Sequence, residues 1–227
     1  MTDAERVAAA LERLPIFPMP GAVLLPYNTV PLHIFEPRYR KMTRDCQAGA
    51  RVIALANVIE ARDEPRSEPG SESAPRVRPI IGVGLLTRVD PMPDGRFNVL
   101  VRGILRARIV EELKSGEPYR LVRAEPLEEE IAQPGSAAFA QAEGLRRLVF
   151  ALCSARPGDE STQLAQLVAR AKDPGELADI VAGALLEGTN ERQAVLEAPR
   201  LARRLDLAAQ SVASILAQSA STDSRPN

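Results

Sequence analysis

Between residues 14 and 42 the chain carries Pro15, Pro18, Pro20, Pro26 and Pro31 among short apolar runs. Each proline removes a backbone donor and crowds the preceding turn, so no helix forms across this spacing. Central sheet strands resist proline as well. The segment therefore reads as short β pieces bent at each proline. At Glu36-Pro37 the composition turns basic and charged, which marks a helix start near Arg38.

The rest of the first half is also β-like. Residues 51–59 form a short apolar run suited to a buried strand, and 80–89 form another that contains Gly82 and Gly84. Pro93-Asp94-Gly95 has turn chemistry. Beyond it Phe97, Val99, Val101, Leu105, Ala107 and Ile109 alternate with Arg96, Asn98, Arg102, Arg106 and Arg108, the period of a long strand bent at Gly103. The two segments make a hairpin, and residues 119–126 supply a last strand. Residues 60–79 are nearly devoid of apolar side chains and read as a flexible surface loop.

The second half changes period. Ser136 heads a helix with Phe139, Ala142, Leu145, Leu148, Val149 and Leu152 inward, and Ser161 is placed to cap the next. Asp173-Pro174-Gly175-Glu176 is a helix start with an acid at the cap and proline at the first position. Gly188 is suited to end that helix, and Asn190 with Gln193 to cap a short one. Leu201, Leu205, Ala208, Val212 and Ile215 then follow in steps of three and four, a stripe for packing within the chain or against another chain. From residue 219 the tail is polar and expected to be disordered. Ahead of the β half, Val7, Ala10, Leu11 and Leu14 share one face of a possible short helix.

The net charge of −1 supplies no global field for nucleic acid or anionic lipid. Only Lys41, Lys114 and Lys172 are lysines; a GC-rich genome or an arginine-recognition surface produces such a bias. Cys46 and Cys153 lack partners at metal-ligand spacing and read as buried thiols in a reducing compartment. The N-terminus has no long apolar stretch, and no run is long enough to span a membrane, so a cytoplasmic protein without metal or cofactor is expected.

Several stretches together resemble the N-terminal domain of the Lon family of ATP-dependent proteases. They are Leu14-Pro15-Ile16-Phe17-Pro18 with residues 23–26, then Pro31-Leu32-His33-Ile34-Phe35-Glu36-Pro37-Arg38-Tyr39, as in stand-alone proteins of this type. The hairpin Asp94-Gly95-Arg96-Phe97-Asn98-Val99 through Gly103, Arg106 and Ile109 is similar too. So are Asp173-Pro174 with Leu177-Ala178, and Glu191-Arg192-Gln193 with Leu196-Glu197. The likeness covers residues 12–218. It implies an α+β fold, with a six-stranded PUA-like pseudo-barrel over 12–131 followed by a C-terminal α-helical bundle over 136–218. In full-length family members this region contributes to substrate recognition and assembly. The chain has no G-x-x-x-x-G-K-[ST] phosphate loop and no serine–lysine motif, so a non-enzymatic module is expected.

The expected partner is a polypeptide substrate or an adaptor protein, and the expected state is a monomer or weak homo-oligomer. Tyr27, Phe35 and Tyr39 either complete the barrel core or line a groove for extended peptide. His33 points opposite to Leu32 and Ile34, toward solvent or a groove. Arg38 lies in a polar patch at the helix start. The alternative partner is RNA, held by Arg102, Arg106 and Arg108 along one strand face. Scarce aromatic residues, at 4%, weigh against RNA because stacking platforms are few.

Overall fold

The computed structural model describes residues 2–59 and 75–223, with side chains up to residue 218. The chain divides into two compact units, Met1–Leu127 and Glu128–Asn227. The first opens with α1 (Asp3–Ala10), closed at its start by a capping box between Thr2 and Glu5. A 3-10 turn over Leu11–Arg13 leads into the strands. These are β1 (Leu14–Met19), β2 (Thr29–Ile34), β3 (Val52–Asn57), β4 (Ile80–Pro91), β5 (Phe97–Leu113) and β6 (Leu121–Pro126), with α2 (Pro37–Ala48) between β2 and β3.

The strands lie in the order β2-β5-β4-β3-β1-β6, and a further pairing of β5 with β6 closes the sheet on itself. β1 and β3 run parallel; the other pairs are antiparallel. Closure depends on the length of β5. Its first part pairs with β2 through residues 97–102, and its second part pairs with β6 through residues 107–113. β4 lies along the opposite edge of β5 as the expected hairpin partner, Ile80 opposite Arg108 and Pro91 opposite Phe97.

Pro15 and Pro18 sit inside β1 rather than at bends. β1 meets β6 through Leu14 and Pro15 and meets β3 through residues 16–19, so neither proline needs ladder bonds on both sides. Pro31 lies in β2, which ends the strand order. The bends fall at Pro20-Gly21 and Pro26-Tyr27.

Two apolar layers flank the sheet. Phe17, Ile53, Leu55, Val99, Val101 and Leu121 pack with Tyr39, Met42 and Cys46 of α2. Ile16, Val52, Ala54, Ile81, Val83 and Ala107 pack with Val7 and Leu11. All of β3 is therefore buried, its side chains alternating between the layers. The alternation expected along β5 does not persist. The register shifts opposite Val83/Gly84, where Gly103 pairs Gly84 but Leu105 pairs Val83, leaving Ile104 as an extra residue. Val99 and Val101 thus face one layer, and Ala107 with Leu105 and Ile109 the other.

The chain between β1 and β2 crosses the sheet where it has no side chains. A Cβ on Gly82 would lie 1.8 Å from the Leu24 carbonyl oxygen, and one on Gly103 would lie 2.1 Å from that of Leu25. Gly84 has the Leu24 side chain against it as well. The crossing is pinned by Tyr27 N–H to the Gly103 carbonyl (3.1 Å) and Gly103 N–H to the Asn28 carbonyl (2.8 Å). Leu24 and Leu25 are buried there.

Beyond β3, most of the loop expected over 60–79 lies outside the described residues. Where description resumes the chain is already bonded back to β3, with Val77 bridging Val58 and Arg78 N–H donating to the Asn57 carbonyl at 2.8 Å.

The second unit holds α3 (Ala137–Ala155), α4 (Asp159–Arg170), α5 (Pro174–Leu185), α6 (Thr189–Glu197) and α7 (Leu201–Asp223). Leu145, Val149, Val168, Leu177, Val181 and Leu205 share its core. Asp173 caps α5 as expected, accepting from the backbone N–H of Gly175 and Glu176. The serine caps do not form. Ser136 occupies its cap position without a side-chain bond, and Ser161 lies inside α4 with its hydroxyl on the Arg156 carbonyl. Gly188 precedes α6 instead of ending α5, so Asn190 is already helical. The helix of α7 runs through Asp223, past the expected start of the tail, and residues 224–227 lie outside the described residues.

A buried cation ties this unit together. Arg204, 1% exposed, donates to Glu129 at 2.7 Å and to Asp179 at 3.4 Å, while Leu201 N–H donates to Glu130 at 3.2 Å. Glu129 and Glu130 thus anchor the helices.

Two predictions follow from packing. Gly103→Ala is expected to lower unfolding free energy by about 3 kcal/mol in urea denaturation, because backbone must shift to admit the methyl group. Gly116→Ala, with nothing within 4 Å of the new Cβ, serves as the neutral control. Asp179→Ala is expected to cost about 3–5 kcal/mol in the same assay, because it takes a carboxylate from a cation that stays buried.

Candidate functional site

The outer face of β2 carries the residues that packing does not use. Thr29, Pro31 and His33 alternate outward while Leu32 and Ile34 face the core. Phe35 continues the outward series, 60% exposed, its ring 6.2 Å from that of His33 and nearly parallel to it. Tyr27, at the other end of β2, is 54% exposed and has a φ of 63°. An aromatic residue in the left-handed region carries a steric cost of roughly 1–2 kcal/mol.

Cross-strand neighbours extend this face. His33 stands opposite Asn98 and Pro31 opposite Leu100 on β5; Asn98 and Leu100 stand in turn opposite Asp90 and Arg88 on β4. A concavity of about 440 Å³ lies here, with Pro31 and Leu100 as apolar lining and His33, Asn98, Arg88 and Asp90 as polar lining. The His33 ring is oriented by two bonds. Nε2 lies 3.2 Å from an Arg96 guanidinium nitrogen, which can only donate, so Nδ1 carries the proton and donates to Asn98 Oδ1 at 2.8 Å. Arg96 is held in turn by Asp94 at 2.5 Å.

The remaining sequence candidates scatter. Tyr39 belongs to the core, 6% exposed and edge-on to Phe17 with centroids 4.4 Å apart. Arg38 is exposed, pairs with Glu36 at 2.8 Å and lies over the Tyr39 ring. The arginine row is corrected. Arg102 is bound to Asp3 at 2.5 Å, Arg108 is exposed, and Arg106 is 1% exposed. The extra residue at Ile104 reverses the alternation and carries Arg106 to the interior side. No continuous row of these three arginines faces solvent.

A second groove of about 570 Å³ runs beside the start of α2, lined by Arg38, Tyr39, Lys114, Glu117 and Arg120 among others. Next to it Lys41 bridges Asp45 at 2.6 Å and Glu117 at 2.7 Å, and the Tyr119 hydroxyl donates to Asp45 at 2.8 Å. The Lys41 hydrogen bond holds the Asp45 carboxyl below the ordinary aspartate value, with help from Tyr119 and against partial desolvation. Burial, then the bond to Asp45, raises the Tyr119 phenol.

Cys46 is buried and pushed up to about 12 by desolvation, which leaves it a poor nucleophile. Cys153 is half-buried rather than fully enclosed. Among the described residues no group of three or more histidine, cysteine, aspartate or glutamate side chains is placed to hold a metal ion. No described helix is long and apolar enough to cross a membrane.

Residues 13–214 match the family model of the ATP-dependent protease La (LON) substrate-binding domain. The chain belongs to this family. It is 29% identical over 205 residues to a Lon protease of Trichlorobacter lovleyi, covering 89% of this chain and 24% of that protein. A Lon protease of Heliobacterium modesticaldum is 26% identical, with 91% and 24% covered. The chain thus spans about a quarter of the length of these relatives. Among solved structures, the N-terminal domain of Mycobacterium avium complex Lon protease superposes with a TM-score of 0.66 at 21% identity, covering 88% of this chain and 98% of that one. A Lon N-terminal domain protein from Xanthomonas campestris gives 0.56 at 20% identity, covering 90% and 97%. These likenesses establish the α+β fold of a Lon N-terminal domain.

Within this Lon-type domain, sequence reasoning missed Asn98 and Arg96 as the groups that orient His33. The register Ile34–Phe97 holds the signal, since it sets His33 against Asn98. It also missed the Lys41–Glu117 bridge, whose partners lie 76 positions apart.

The Lys41 network has a testable acid response. A carboxylate held low in the fold contributes stability that is present above its unfolded value and lost as pH falls through its folded value. Asp45 is therefore expected to titrate below the ordinary aspartate value by NMR, and Lys41→Met to move its midpoint back up.

Proposed function

We propose that this chain recognises polypeptide substrates through the outward face of β2, and that it does so without catalysing a reaction. Membership of a substrate-binding family supports the role. The observation that carries the site is the pair of exposed aromatic residues at the two ends of β2, Phe35 at 60% and Tyr27 at 54% exposure, with an open concavity beside Pro31 and His33 of the strand. Exposed aromatic rings supply contact area with few rotors to immobilise, which suits binding of unfolded segments. The backbone strain at Tyr27 supports the same reading, since that ring is not held there by burial. Pro31 lacks an N–H on an edge strand, so recognition rests on side chains rather than on strand addition alone.

The test is fluorescence anisotropy with a labelled, reduced and carboxymethylated model protein. Saturable binding is expected, weakened roughly tenfold by Phe35→Ala, with unchanged circular dichroism because the ring is exposed. Absence of saturable binding at high micromolar concentration would count decisively against the role.

A further inference from the structure

The proposed polypeptide site has a chemistry at one end that its apolar stripe does not account for. Phe35 lies where the end of β2, the first turn of α2 and the β4–β5 turn converge. Phe35 stacks on His33, His33 bonds Arg96, and Arg96 bonds Asp94. The Asp94 carbonyl accepts from Arg40 of α2 at 3.2 Å, and the Arg40 Nε is enclosed without a hydrogen-bond partner. Arg38 follows Phe35 by three residues and pairs with Glu36, while Arg44 lies over the Phe97 ring, 5.9 Å from its centroid. The elements that meet here thus carry Arg38, Arg40, Lys41, Arg44 and Arg96 with Glu36, Asp45 and Asp94, and the adjoining concavity adds Arg88 with its partner Asp90.

From this excess of cations over carboxylates on the elements that meet at an exposed phenylalanine we infer that the site selects extended segments in which an apolar or aromatic residue is flanked by acidic ones. Phe35 is the anchor for the apolar residue. Arg44 is the cation most open to a partner's carboxylate, since no carboxylate of the chain pairs with it among the ion pairs described, and it is exposed. Arg96 and Arg38 already carry an acid each and contribute field more than new bonds. The inference rests on the polypeptide reading and adds a charge preference to it.

Three labelled peptides with the same central Phe-Leu-Phe, flanked by glutamate, by serine or by lysine, separate the two claims. At about 50 mM salt the acidic peptide is expected to bind at least about tenfold tighter than the basic one. The ratio should shrink at about 300 mM salt, where charges are screened over a shorter distance. Phe35→Ala should weaken the acidic peptide about tenfold. Arg44→Glu should remove or reverse the charge preference while leaving the serine peptide within about twofold, and Arg44→Gln should give an intermediate ratio. Equal affinity for the three peptides overturns the charge preference while leaving polypeptide recognition in place. So does an unchanged ratio in both Arg44 variants. An oligouridylate that displaces the acidic peptide at lower concentration than the unlabelled peptide itself assigns the patch to RNA and also overturns it. If neither the peptides nor the unfolded model protein bind, both readings fall together.

Discussion

The barrel unit depends on a contact between main chains. Leu24 and Leu25 pass over β4 and β5 with their carbonyls against Gly82 and Gly103, closer than any side chain would permit. The approach lets Leu24 fill the core under α2 and sets Tyr27 and Asn28 in hydrogen-bonding reach of Gly103. From there β2 starts in its register on β5, and that register puts Leu32 and Ile34 inward and His33 outward. The outward stripe is thus a consequence of three missing side chains on neighbouring strands.

Charge is handled differently in the two units. In the barrel the ion pairs described lie at the surface, where each contributes little, and they engage Arg38, Arg88, Arg96, Arg102, Arg120 and Arg123. In the helical unit Arg204 is enclosed with Asp179, and its role is to fix where helices meet. Such an enclosed pair is weak evidence of net stability, but loss of Asp179 leaves the enclosed Arg204 with Glu129 as its remaining carboxylate.

Much of the architecture was legible in the sequence because it rests on local signals. The hairpin could be read from Pro93-Asp94-Gly95 and the alternation around it, and the start of α5 from Asp173-Pro174. What failed were the inferences that needed tertiary partners. One extra residue at Ile104 sent Arg106 inside and broke a row that alternation alone drew straight. Pro15 and Pro18 signal bends locally, yet lie within β1 because its partners β6 and β3 are staggered along it. Of the candidate site, the outward direction of His33 follows from strand period, whereas the sequence leaves Phe35 open between core and groove, and the groups that orient His33 come from β5 and the turn before it. Tyr39 fell to the core through a ring contact with Phe17, which no local pattern announces.

The pairing of Leu14 with Val122, and of Pro15 with Leu121, joins the first strand of the barrel to its last. A chain emerging from a ribosome in order cannot close this sheet until the final strand has appeared. Before then the far half of β5 and the leading end of β1 both wait for one partner. Vectorial folding of the unit is consequently gated by its last segment, and the nascent chain must hold apolar strands unsealed until β6 has been made.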